Sequence, residues 1–162
     1  MTADVSTNHV DARDPLTIHF LGNILTFRAR YADTGRNFTV IEVTTAPGAG
    51  APPHTQTDQE AFLVLDGQYE ISVGGNVTLC GPGDFVHVPP GQLHLFRNNA
   101  PTNSKMLLIN FPGDLHEEFF KAVGERLEFG STTFPEMAAP DISKIIEVAA
   151  RFGIVIPPPP IH

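Results

Sequence analysis

What this sequence has little of narrows it first. It holds one cysteine, Cys80, so no internal disulfide can form. A lone thiol fits a reducing cytoplasm, and Cys80 reads as a small buried apolar residue. Basic residues are scarce, 10 against 18 acidic ones, for a net charge of −8. No basic run and no aromatic–basic interleaving occurs, which argues against a nucleic-acid partner and against an anionic membrane surface. No apolar stretch approaches the length of a membrane span. The polar, acidic N-terminus lacks the apolar core of a signal peptide, so the expectation is a cytoplasmic protein.

A chain of 162 residues suits a single domain with a real core. Hydrophobic residues make up 41% and charged residues 17%, ordinary values for a globular protein. Proline (15) and glycine (14) are frequent and fall between short apolar runs, which favours many strands joined by turns over a helical bundle.

Residues 1 to 14 are polar and without periodicity, and read as a mobile lead-in. Ile18 to Tyr31 holds a strand or strand pair with Gly22-Asn23 as its turn. Arg36 to Thr45 is β-branched and free of breakers, a strand. Ala46 to Pro53 is a Gly/Pro/Ala loop that delivers His54. Glu60–Leu65, Gln68–Val73, Val77–Cys80 and Phe85–Val88 read as strands separated by the tight turns Asp66-Gly67, Gly74-Gly75-Asn76 and Gly81-Pro82-Gly83. Strands follow at His94–Arg97 and Lys105–Phe111. The period then changes: Asp114 reads as an N-cap for a short amphipathic helix ending near Gly124. Pro140-Asp141 opens a second helix, Ile142–Arg151, which Gly153 stops. The tail I-V-I-P-P-P-P-I-H reads as extended polyproline II. About eight or more short strands with frequent turns point to a sandwich or small barrel, followed by a helical appendage.

The stretch His54 to Asn98 carries the chemistry. His54 and Gln56 are two apart, so a strand turns them to one face. Glu60 lies a few residues on, and His94 arrives from a later strand after Pro89-Pro90-Gly91. Two imidazoles, an amide and a carboxylate converging in β-structure suit a divalent first-row transition metal.

These residues resemble the cupin family. Gly50, His54, Gln56, Glu60 and Gly67 stand where its first motif places Gly, H-x-H, Glu and Gly. Gly83, Pro89, Gly91, His94 and Asn98 match every position of the second, G-x5-P-x-G-x2-H-x3-N. The resemblance covers residues 37–111, and the tail is more loosely similar to that of bacterial monocupins grouped with quercetin dioxygenases. It implies an all-β fold, a double-stranded β-helix or jelly-roll barrel over residues 15–112, with residues 113–162 as a C-terminal appendage of short helices and a proline-rich tail. It implies one divalent metal (iron, manganese, nickel, cobalt or zinc) held by His54, Gln56, Glu60 and His94. Gln56 departs from the second histidine of H-x-H. Phosphomannose isomerases, also cupins, use a glutamine among their zinc ligands; Gln56 thus reads as a ligand through its side-chain oxygen or as a hydrogen-bonding partner of a bound water or substrate, with a satisfied polar group that has no role at the metal as the competing reading.

Glu60 also reads as a general base for the reaction. Phe38, Phe62, Phe85, Phe96 and Met106 are candidates to line an apolar substrate pocket, each with ordinary core packing as the competing reading. Alternation puts His87 on one face with Phe85, either into the pocket or outward. His9, His19, His116 and His162 lie outside the motif spacing and read as surface residues. The resemblance implies a quercetinase-like dioxygenase acting on a small enolic or phenolic substrate. The alternatives are a non-oxidative isomerase or lyase, and a binding module without turnover. Cupins commonly pair through their outer sheet faces, so a homodimer is expected.

Overall fold

The computed structural model describes residues 9–158. In chain order, strands β1 (Thr17–Phe20), β2 (Asn23–Ala29), β3 (Thr39–Thr45), β4 (Gly50–His54), β5 (Gln59–Asp66) and β6 (Tyr69–Val73) come first. Strands β7 (Asn76–Cys80), β8 (Phe85–Val88), β9 (His94–Arg97) and β10 (Ser104–Phe111) follow. Helix α1 (Asp114–Val123), a short strand β11 (Glu125–Leu127) and helix α2 (Ile142–Arg151) end the described chain.

The strands form two antiparallel sheets, one ordered β11-β1-β2-β3-β10-β5-β8 and one ordered β4-β9-β6-β7. The apolar faces close on each other, as the jelly-roll reading required. Strands β3 and β10 show why: along both, every second residue is buried. Ile41, Val43, Met106 and Leu108 thus meet Phe62, Tyr69, Ile71 and Phe96 of the other strands in one core. Each such large side chain contributes roughly 1.5–3 kcal/mol on burial.

Several local expectations are corrected. Residues 46–53 are not all loop: Gly50–His54 pairs with β9. Pro52 and Pro53 are tolerated because β4 is an edge strand and its register slips between Ala51 and His54. The first hairpin turns at Leu21-Gly22, both at positive φ (50° and 78°), and Asn23 already begins β2. The third strand starts at Thr39 rather than Arg36, since a 3-10 turn (Tyr31–Thr34) and positive φ at Gly35 and Arg36 occupy the approach.

Asp114 is the first residue of α1 rather than its cap. The cap is Gly113 at φ 84°, where a Cβ would collide with Thr39 and Asn110. Asp141 does cap α2, accepting from the Lys144 amide at 3.1 Å. In the tail, Val155 exchanges two backbone hydrogen bonds of 2.9 Å with Thr55, which ties the C-terminal segment to the site strand. The remaining tail residues 159–162, including His162, and the first eight residues of the lead-in lie outside the described residues.

Helices α1 and α2 pack together over one end of the barrel. Phe119, Ala149 and Ile154 form their shared core, with Phe20 of β1 packed against it. Glu117 pins α1 to the barrel by an ion pair with Arg30 and a 3.2 Å bond from the Tyr31 amide. The position of this cap decides what reaches the site.

Candidate metal centre

Three elements bring the donors together. Strand β4 ends on His54, which lies opposite His94, the first residue of β9. Glu60 stands on β5, flanked by Val88 of β8 and Asn110 of β10. Gly91, at φ 76°, makes the turn before β9 and donates its amide to the Gln56 carbonyl at 2.9 Å, so the turn that presents His94 is stitched to the segment carrying Gln56. One donor atom each from His54, Glu60 and His94 lies within 4.8 Å of the others.

The imidazoles are oriented by backbone carbonyls. His54 Nδ1 donates to Pro52 O and His94 Nδ1 to Gln92 O, both at 2.8 Å. Each ring therefore turns Nε2 inward, as a metal-binding histidine requires. His94 Nε2 donates to Glu60 Oε2 at 2.8 Å, while Asn110 Nδ2 donates to Glu60 Oε1 at 3.0 Å.

Burial and the neighbouring charge of His94 push His54 down to about 4, so its Nε2 lone pair is free at neutral pH. Burial opposes the charge on Glu60, but the hydrogen bond from His94 and the nearby imidazoles win and hold the carboxyl at about 2. His94 goes the other way: burial disfavours its charge, yet the bond to Glu60 and that carboxylate's charge raise it. The pairing favours a proton between His94 and Glu60, and a divalent metal would compete with that proton.

Gln56 is buried (3% exposed), and neither its amide oxygen nor its amide nitrogen has a partner among the described residues. A buried carboxamide with both ends idle is costly unless a further group satisfies it. Together with two inward Nε2 atoms and an anionic carboxylate, this donor set fits a divalent transition metal.

A cavity opens beside the cluster. His54 and Glu60 sit in its wall, and most of the rest is apolar: Phe20, Leu25, Phe96 and Leu108 from the barrel, and Phe119, Phe120, Ile145 and Ile154 from the cap. Of the aromatic and sulfur-bearing residues expected to line the pocket, Phe96 does so. Phe62 and Met106 belong to the closed core, Phe62 packing behind His94 with ring centroids 6.4 Å apart. Phe38 leans on Phe111 at the surface side of β10, 5.9 Å between centroids. Phe85 is 62% exposed, and His87 shares its outward face, where Nε2 meets Gln59 Oε1 at 3.1 Å. The face choice left open for β8 falls outward because Val86 and Val88 take the core side.

The sequence reading missed Asn110, Asp58 and His116. Asn110 continues the buried alternation of Met106 and Leu108, and a polar residue in that register was a readable signal. His116 is buried (3%), not a surface residue; it stands at i, with Phe119, Phe120 and Val123 at i+3, i+4 and i+7, on the inward stripe of α1. It pairs with Asp58, Nδ1 to Oδ2 at 3.3 Å. His19 is also buried, against the cap, and burial lowers its pKa. His9 is exposed as expected.

A jelly-roll barrel with a two-histidine, one-carboxylate cluster at one mouth defines a cupin-type site. Residues 41–110 match the cupin domain family. Among curated proteins it is 36% identical over 75 residues to quercetin 2,3-dioxygenase of Bacillus subtilis, a stretch that is 46% of this chain and 20% of that enzyme. It is 29% identical over 87 residues to beta-D-galactosidase Rv1717 of Mycobacterium tuberculosis, covering 52% of this chain and 75% of the relative. The chain thus spans only a fifth of the quercetin dioxygenase. An RmlC-like cupin from Shewanella frigidimarina shares the fold, with a TM-score of 0.55 at 16% identity over 64% of this chain and 88% of that one. Among the described residues, no helix is long and apolar enough to cross a membrane.

Proposed function

We propose that this protein is a metal-dependent dioxygenase of the quercetinase type, acting on a small enolic or phenolic substrate with an apolar body. The observation that carries this reading is that the cluster of His54, Glu60 and His94 presents His54 and Glu60 in the wall of a cavity that is otherwise mostly apolar. A carbohydrate or an oxalate-sized dianion would find few polar partners on those walls, whereas an aromatic or aliphatic ring would bury well there. The likeness to a quercetin 2,3-dioxygenase supports the same chemistry.

In this reading His54 and His94 hold the metal through Nε2, Glu60 through its carboxylate, and the idle carboxamide of Gln56 serves as the fourth ligand. The bound ion supplies Lewis-acid and redox chemistry at the head of the pocket. Glu60 is better suited there to charge balance than to proton removal, since a carboxyl held at about 2 is a weak base at neutral pH. Phe96, Phe119 and Ile154 hold the substrate body and exclude water.

The test is elemental analysis of untagged protein reloaded in turn with iron, manganese, cobalt, nickel and zinc, followed by oxygen uptake with a panel of flavonols and simple enols. One equivalent of metal and substrate-dependent oxygen consumption are expected. Less than about a tenth of an equivalent for every metal would sink the site, because a preformed three-ligand cluster loads. A loaded protein that converts enols without oxygen uptake would move the reading to an isomerase or lyase.

We propose further that the protein acts in the cytoplasm, given its single buried thiol, and as a homodimer. Strand β7 is a sheet edge whose Val77 and Leu79 are 63% and 61% exposed, an edge of the kind that pairing covers.

A further inference from the structure

The cap brings one more polar group into the cavity than the motif residues account for. His116 of α1 lines the same cavity as His54 and Glu60. Its Nδ1 faces the buried Asp58 carboxylate, which can only accept, so Nδ1 carries the hydrogen and Nε2 the lone pair. Asp58 is itself held, its Oδ2 accepting the Gly113 amide at 3.1 Å, and no side chain larger than glycine's fits at Gly113.

The helix cannot easily rotate His116 away, because the adjacent Glu117 is bonded to Arg30 and to the Tyr31 amide. Apart from His54 Nε2, which the metal takes in the reading above, the other polar side chains at the cavity are already engaged. Both Glu60 oxygens are taken by His94 and Asn110. Asn23 is bonded to Thr45 and to backbone carbonyls. His116 Nε2 has no such partner among the described residues, and the residue lines the cavity.

We propose that His116, oriented by Asp58, is a catalytic base contributed by the C-terminal appendage: its Nε2 accepts the hydroxyl proton of the substrate bound beside His54, Glu60 and His94. The inference rests on the enol or phenol reading above. In the step, the substrate O–H bond breaks, its electron pair stays on oxygen, and an N–H bond forms at Nε2. The resulting imidazolium is balanced by the Asp58 carboxylate, and the proton is available for return to the product. An imidazole hydrogen-bonded to a buried carboxyl group suits this exchange, and the apolar walls strengthen it by excluding water. The consequence for the fold is that the barrel alone would hold a metal without completing the site.

The test uses zinc-loaded full-length protein, which is diamagnetic, and 4-nitrocatechol, whose visible absorption reports ionisation of its ring hydroxyl. The wild type is expected to bind the probe in its ionised form. His116→Gln is expected to retain zinc and bind it about tenfold or more weakly. The same ring with both hydroxyls methylated should not distinguish the two proteins. In 15N-histidine-labelled wild type, one ring nitrogen should gain a proton on binding. That ring is identified by its contact with Phe120, 5.9 Å away between centroids.

Equal probe affinity in wild type and variant, with no ring nitrogen gaining a proton, overturns the assignment and leaves the metal site standing. If the variant fails to fold, the wild-type nitrogen spectrum decides alone. A wild type that takes no zinc, or takes zinc and ignores the probe, overturns the enol or phenol reading itself, and this inference with it.

Discussion

His54 and His94, forty positions apart in the chain, stack across the β4–β9 pair with ring centroids 4.2 Å apart and planes at 52°. Each is turned by a carbonyl two residues before it, so the pair is preorganised by short-range contacts and assembled by a long-range one. The contact also sets the two pKa values apart, because a charge on one ring opposes a charge on the other.

That opposition gives the metal-free protein a stability profile with defined signs. His54 is lowered from 6.5 to about 4, so the unfolded chain takes up its proton first and stability falls as pH drops from 6.5 towards 4. His94 is raised, so its contribution is full below 6.5 and is lost as pH climbs through its folded value. The two windows do not overlap, and maximum stability is expected near pH 6.5, the ordinary value of a histidine. Glu60, held at about 2, adds a further loss as pH falls below 4.5. Urea titrations of metal-free wild type and His54→Gln check this. The variant should lose the acid-side slope below 6.5, worth roughly 3 kcal/mol, and an unchanged slope would contradict the burial of His54 as the neutral form.

His94→Ala should abolish metal binding. The Pro89–Gly91 turn does not depend on the imidazole, since the Gly91 amide is anchored on Gln56 O, so the fold is expected to persist. It will be weakened, because Glu60 is left buried with Asn110 as its remaining partner. A loss of about 3 kcal/mol is expected for breaking a buried pair. Full metal content in a folded variant would remove His94 from the ligand set.

Gln56→His should shift metal preference towards nickel and zinc, since an imidazole replaces a harder amide oxygen. A competition titration with two metals measures it. An affinity change of roughly tenfold is the scale expected for altering a group at a metal. Unchanged preference would show that the idle carboxamide serves something other than the ion.

Val77→Lys combined with Leu79→Lys should convert the proposed homodimer to a monomer, because two charges on an exposed edge strand oppose pairing. Light scattering at micromolar concentration reads the mass. A monomeric wild type, or a dimeric double variant, would place the interface elsewhere or remove it.

The sequence by itself determined the barrel and the donor types that meet at its mouth. Period-2 alternation, tight Gly-containing turns and the spacing from His54 to Asn98 are local, and local chemistry is what a sequence displays. Strand alternation also showed that His87 shares a face with Phe85, but not which face, because that choice depends on which sheet lies behind β8. Only the tertiary structure decided where the pocket lies. Phe62 and Met106 are as apolar as Phe96, yet closure of the two sheets buries them in the core and leaves Phe96 at the opening. The same holds for β4, where two prolines read as loop until the structure showed an edge position that needs no amide donor. Asp58 and His116, fifty-eight positions apart, meet because α1 folds back over the barrel mouth and Gly113 permits the turn. No periodicity links those two residues; the packing of the cap onto the barrel does.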